Sequence, residues 1–107
     1  MDELDERPGE VAIEVQLNDG EGTIAVSGEV DSANSGELEA GIDEVLAGGA
    51  ASLVLDCSSL RFIDSAGLAV LVRTAGKVDS MRLRAPSPIV RRTIEATGLT
   101  ELLGMEP

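Results

Sequence analysis

LVLDCSSLRFIDSAGLAVL, residues 53–71, joins two different hydrophobic periods, and its reading decides the fold. Ser52-Leu53-Val54-Leu55 is a short, nearly continuous apolar run ending at Asp56, the pattern of a strand covered on both faces and placed centrally in a sheet. Leu68, Leu71, Val72 and Ala75 then recur at i, i+3, i+4 and i+7, which predicts a helix from about Ser65 to Ala75 with Gly76 as its stop. A loop through Phe62 and Ile63 connects the two and delivers Asp64 and Ser65 to the start of the helix. A hydroxyl at that place meets backbone N–H groups without helical partners and the positive end of the helix dipole, a position ready to accept an anion. Asp64 or Ser65 equally serves as an ordinary N-cap. Gly67 lowers helix propensity by roughly 1 kcal/mol relative to alanine, so its place in the first turn serves either close approach by another molecule or tight packing of helix on sheet.

Upstream, Val11, Ile13, Val15 and Leu17 alternate with Ala12, Glu14 and Gln16, the period of a half-buried strand. Asn18-Asp19-Gly20 supplies a turn, and Thr23 to Gly28, with Ile24 and Val26 on one face, follows at hairpin distance. After Asp31 the period changes. Leu38, Ile42, Val45 and Leu46 form a helical stripe, with Asn34 as cap, Glu37 completing a capping box and Gly48-Gly49 ending the helix. Downstream, Met81 to Arg84 reads as an edge strand because its alternate residues are arginine. Ser87-Pro88 starts a third helix that buries Ile89, Val90 and Ile94 before Gly98, and Leu99, Leu102 and Leu103 form a last apolar patch. The expected fold is α/β: one domain over residues 10–107, a mixed sheet of four to five strands with helices packed against it. The order is β-β-α-β-α-β-α with an optional final strand. Residues 1–9, charged and without apolar periodicity, are expected to be a disordered acidic tail.

Composition removes much chemistry. The chain of 107 residues has no histidine, so no imidazole can serve a serine or cysteine nucleophile, and its single cysteine, Cys57, excludes an intrachain disulfide and a multi-cysteine zinc site. Cys57 reads as a small buried apolar residue. Phe62 is the one aromatic residue, which leaves no stacking platform for single-stranded nucleic acid. The formal charge of −12 is uneven: residues 1–50 carry 14 acidic and 1 basic side chain, residues 51–107 carry 6 and 7. Such a surface disfavours phosphate backbones and anionic lipid and favours basic partners. Arg82, Arg84, Arg91 and Arg92 read as edge protection and surface solvation rather than a nucleic-acid patch. No apolar run is long enough to span a bilayer and the N-terminus is acidic, so the expected location is cytoplasmic.

Three motifs in order carry a family resemblance: Gly28-Glu29-Val30-Asp31, Leu55-Asp56, and Phe62-Ile63-Asp64-Ser65-Ala66-Gly67-Leu68. Across roughly residues 10–104 the chain resembles the STAS domains of bacterial anti-sigma factor antagonists. Position for position, Ser65 matches the serine that family members present to an anti-sigma factor with serine-kinase activity, and Asp31 and Asp64 match acidic residues flanking it. The resemblance implies a partner-switching protein and not an enzyme. The unphosphorylated form binds the anti-sigma factor through Asp31, Asp64, Ser65, Ala66 and Gly67 and frees a sigma factor; phosphorylation of Ser65 ends the contact, and a serine phosphatase restores it. The kinase brings ATP and magnesium, and this chain is expected to need no cofactor or metal and to be a monomer that forms a heterocomplex. The alternatives are a non-switching STAS scaffold or subunit of a signalling or lipid-transport complex, and an enzyme or nucleotide-binding domain using Asp64, Ser65 and Asp31, for which the chain lacks a base partner and a Gly-rich phosphate loop with lysine.

Overall fold

A computed structural model describes residues 10–107; the tail expected over residues 1–9 lies outside them. The alternating N-terminal segment forms β1 (Val11–Asn18), which turns at Asp19 and Gly20 into β2 (Glu21–Val30). Both turn residues have positive φ, 52° and 83°, the requirement of a two-residue turn matching strand twist. Asn18 pairs with Glu21 and the antiparallel register continues unbroken to Val11 opposite Gly28. Then follow α1 (Ser35–Ala47), β3 (Ser52–Ile63), α2 (Ser65–Ala75), β4 (Ser80–Arg84) and α3 (Pro88–Thr97). The sheet order is β1-β2-β3-β4, with β2, β3 and β4 mutually parallel. This is the expected four-stranded mixed α/β fold. The optional final strand is a single parallel bridge from Met105 to Leu83.

One face of the sheet carries the core. Ile24, Val26, Leu53, Leu55, Leu83 and the inner residues of the helices, among them Leu38, Ile42, Leu71, Val90 and Ile94, form one buried cluster. On the other face, Glu14, Ala25, Asp56 and Arg84 line a shallow open surface. The run Leu53–Leu55 is nevertheless buried throughout, as expected of a strand covered on both faces, and the open surface begins at Asp56. Val54 is 2% exposed yet stands outside the core cluster. Its cross-strand neighbours are Thr23 and Arg82, and the Arg82 guanidinium lies 3.9 Å from Glu21 of β2 and 3.5 Å from Glu106, which flanks β4 on its outer side.

β3 does not stop at Asp56. It continues through the expected loop to Ile63, because β2 also continues and offers backbone partners up to Val30. Two register shifts, between Ala25 and Ser27 and between Gly28 and Glu29, insert extra residues into β3. Each bulge offsets the period of two, so burial falls on Cys57, Leu60 and Ile63, three residues apart.

The caps divide. Ser87 Oγ accepts from Val90 N at 3.3 Å with Pro88 opening α3, and Gly98 ends it at φ 76°, as expected. Asn34 precedes α1 but its side chain makes no cap hydrogen bond, so the expected capping box is absent. Ile89, expected in the core, is 57% exposed, since it lies about 100° around the helix from Val90. In α2 the buried stripe includes Val70 and Thr74 and leaves Val72 exposed; Thr74 tolerates burial by donating its hydroxyl to Val70 O at 2.8 Å. Leu103 is buried while Leu102 is exposed.

Candidate functional site

The parallel strands β2 and β3 end side by side, Val30 opposite Ile63, and the next residue of each is an aspartate. Asp64 N donates to Val30 O at 3.1 Å, extending the ladder by one bond before the chains part. Asp31 and Asp64 therefore leave adjacent strands, whose spacing is about 4.8 Å, at the carboxyl end where open α/β sheets place their sites.

Asp31 is held by a compact loop. Its Oδ1 accepts from Ala33 N at 2.9 Å, and its carbonyl accepts from Asn34 N and Ser35 N at 3.2 and 2.8 Å. Asn34, 6% exposed, turns back instead of capping α1: Oδ1 accepts from Asp31 N and Nδ2 donates to Glu29 O, both at 2.9 Å. This staple escaped the sequence reading because asparagine before a helix ordinarily reads as a cap. What distinguishes it is burial, which sequence spacing does not show.

Asp64 is the N-cap of α2. Its Oδ1 accepts from Ala66 N at 2.9 Å and Gly67 N at 3.2 Å. Two of the donors that an anion at this terminus would use are thus already occupied, which corrects the expectation of an open anion site. Ser65, the first helical residue, is exposed, and among the described residues its hydroxyl engages no other group. Ala66 is half-buried and Gly67 buried. A Cβ on Gly67 would lie 2.6 Å from both Val30 Cγ1 and Ile63 Cγ1, so the glycine lets α2 sit on the ends of both strands. The structure thereby brings Asp31, Asp64, Ser65 and Ala66 to one end of the sheet, with Gly67 beneath them. Phe62, 43% exposed, and Arg61, 4.0 Å from Glu29, stand near the end of β3, just before the site.

Cys57 is 1% exposed, and burial first, then the negative charge of Asp56, pushes its thiol up to about 12. It is a core residue. Asp56 itself sits below the ordinary carboxylate range because Ser58 N–H and its hydroxyl hydrogen-bond it, with Arg84 adding attraction. Arg82 and Arg91 are spent on Glu21, Glu106 and the Glu106 carbonyl rather than gathered into a patch.

With this geometry, known proteins become comparable. The family model described as Mlab, STAS domain, matches residues 13–104. The chain belongs to the STAS-domain family of anti-sigma factor antagonists. Among its curated relatives, the anti-sigma-F factor antagonist RsfB of Mycobacterium tuberculosis is 30% identical over 95 residues, covering 86% of this chain and 78% of the relative. The crystal structure of an anti-sigma factor antagonist from Mycobacterium paratuberculosis superposes with a TM-score of 0.85 at 32% identity, over 95% of this chain and 90% of that one. SpoIIAA in its unphosphorylated form shares the STAS fold at 22% identity with a TM-score of 0.74, covering 89% of this chain and 86% of that one. The Bacillus cell fate determinant SpoIIAA in the phosphorylated form shares it at 20% and 0.67, covering 89% of each. No described helix of this STAS domain is long and apolar enough to cross a membrane.

Proposed function

We propose that this STAS domain is an anti-sigma factor antagonist whose contact with its partner is switched by phosphorylation of Ser65. The observation that carries the reading is the division of labour at the start of α2: Asp64 occupies the helical N–H groups, and the Ser65 hydroxyl is exposed and uncommitted. Such a hydroxyl can enter a kinase site without disturbing the fold. The relatives named as antagonists, and a family fold known in both an unphosphorylated and a phosphorylated form, support it.

In the unphosphorylated state the end of the sheet, with Asp31, Asp64, Ser65 and Ala66 at its surface and Gly67 setting the height of α2, binds an anti-sigma factor and frees a sigma factor. That partner, as a serine kinase, transfers the γ-phosphoryl group of its ATP to Ser65 Oγ; the hydroxyl proton leaves and ADP is released. A serine phosphatase reverses the step: water attacks the phosphorus, the P–Oγ bond breaks, inorganic phosphate leaves and Ser65 Oγ regains its proton. The chain is substrate and ligand in this cycle, acting as a cytoplasmic monomer that forms a heterocomplex, and it supplies no catalytic group. A phosphoserine adds about −1.5 to −2 charges beside Asp64 and Asp31. With Ala66 N–H and Gly67 N–H already taken, the phosphate gains little from the helix terminus and faces the partner. Like charge forced against a fitted surface costs several kcal/mol, and each 1.4 kcal/mol is about tenfold in affinity.

The test is mass spectrometry of the protein recovered from its native cells, paired with a pull-down comparing Ser65→Ala and Ser65→Asp. Phosphate on Ser65, with partner capture kept by alanine and lost with aspartate, is expected. Absence of phosphate together with equal capture by both variants would leave a non-switching STAS scaffold instead.

A further inference from the structure

The two edges of the sheet are not alike. At β4 the edge is closed: Leu83 N donates to Gly104 O at 2.9 Å and Glu106 N donates to Leu83 O at 3.0 Å. Among the described residues the β1 edge is open over eight positions, in continuous register with β2 on its inner side and unpaired with any strand on its outer side. Natural edges are blunted by proline, by lysine, by bulges or by a covering segment. β1 has no proline, no lysine and no bulge.

Beside this edge lies a groove of about 350 Å³ between β1 and α1. Its floor is Ile13 and Val15, half-buried; its wall is the helical face of Glu37, Ala40, Gly41 and Glu44, spaced i, i+3, i+4 and i+7. Gly41 brings the helix onto the strand, since a Cβ there would lie 2.8 Å from Ile13 Cγ2. Glu37 and Glu44 are exposed and neither has a basic partner among the described residues. Other glutamates of the surface, such as Glu39 and Glu21, are paired with Arg73 and Arg82.

We infer that the β1 edge and this groove dock an extended basic segment of a partner protein, which adds to the sheet as a fifth strand. The added strand's backbone pairs with the outer N–H and C=O groups of β1. Its alternate side chains point over the groove, where lysine or arginine lays its methylene stem on Ile13 and Val15 and carries its charge to Glu37 or Glu44. The remaining side chains fall beside Glu14 and Gln16. A second copy of this chain is a poor occupant, because a formal charge of −12 and two acidic rims would meet across the new pair. The surface is separate from Ser65 and the inference does not depend on the phosphorylation reading.

The test titrates the whole protein, isotope-labelled, with a seven-residue peptide amide alternating lysine and threonine, followed by NMR amide shifts and hydrogen exchange. Controls are the glutamate-threonine peptide, the lysine peptide with a central proline, and the variant carrying Glu37→Lys and Glu44→Lys, its fold checked by circular dichroism. Saturable shifts over residues 11–18 and 37–44 with slowed exchange in β1 are expected. Binding at least tenfold weaker is expected for the proline peptide and for the double variant, none for the glutamate peptide, and unchanged binding for Ser65→Ala. Equal binding of the proline peptide would reduce the effect to charge attraction and overturn strand addition. Shifts mapped away from β1, or a concentration-dependent dimer in sizing chromatography that blocks the peptide, would overturn it as well.

Discussion

Val30 O and Asp64 N, 3.1 Å apart, form the bond that couples the end of β2 to the cap of α2. One residue beyond each lies a member of the site: Asp31 follows Val30, and Ser65 follows Asp64. The position of the serine relative to the neighbouring acid is thereby fixed by main chain rather than by flexible side chains, and substitutions around this bond separate stability from recognition.

Asp64→Ala removes both cap hydrogen bonds of α2 and is expected to destabilise by about 0.5–2 kcal/mol, with Asp64→Ser recovering most of the loss. Ser65→Asp, on an exposed position with no bonds to lose, is expected to stay within about 0.5 kcal/mol of wild type. Urea denaturation of the three variants checks the order. A larger loss for Ser65→Asp than for Asp64→Ala would mean that the switch acts through the fold.

Asn34→Ala removes the buried side-chain hydrogen bonds to Asp31 N–H and Glu29 C=O. A loss of about 1–3 kcal/mol is expected, together with faster amide exchange at Asp31. Unchanged exchange there would show that the loop holds itself.

Gly67→Ala gains roughly 1 kcal/mol of helix propensity but drives a methyl into Val30 and Ile63, where overpacking costs typically 1–3 kcal/mol. The expected result is a net loss. Gly36→Ala, in the first turn of α1 with nothing within 4 Å of the new Cβ, is expected to stabilise by a few tenths to 1 kcal/mol. Thermal unfolding of the pair gives the signs, which should be opposite.

Cys57 gives a pH signature. Its thiol ionises at about 12 when folded and near its ordinary 9.0 when unfolded, so the folded state holds the proton longer. Its contribution is intact below pH 9.0 and is lost as pH rises from 9.0 towards 12, because only the unfolded chain gains from ionising. Native protein should resist iodoacetamide at pH 8 and react after unfolding. Stability measured between pH 9 and 11 should fall less steeply in Cys57→Ala than in wild type once their difference at pH 7 is subtracted.

Much of this molecule was legible in its sequence because the signals are local. Period two at Val11–Leu17, period 3.6 at Leu38–Val45, the Asp-Gly turn and the Ser87-Pro88 start each depend on neighbours a few residues away, and each stands where it was read. The Asp64-Ser65 pair at the head of a helix was equally visible. What was hidden depends on chains meeting from a distance. β3 outlasts its apolar run because β2 supplies hydrogen bonds up to Val30, and its bulges turn a period of two into one of three. Val54 is buried beside Arg82 of the next strand although it stands outside the core cluster. The division between Asp64 as cap and Ser65 as free hydroxyl is a matter of which oxygen reaches the Ala66 and Gly67 amides, and the turning of Asn34 towards Asp31 follows from burial at the strand ends. Sequence by itself determined the elements and their order, since these follow from local propensity and hydrophobic period. Only the tertiary structure decided which polar groups were left without partners, because hydrogen bonding and burial are settled by what lies across the fold.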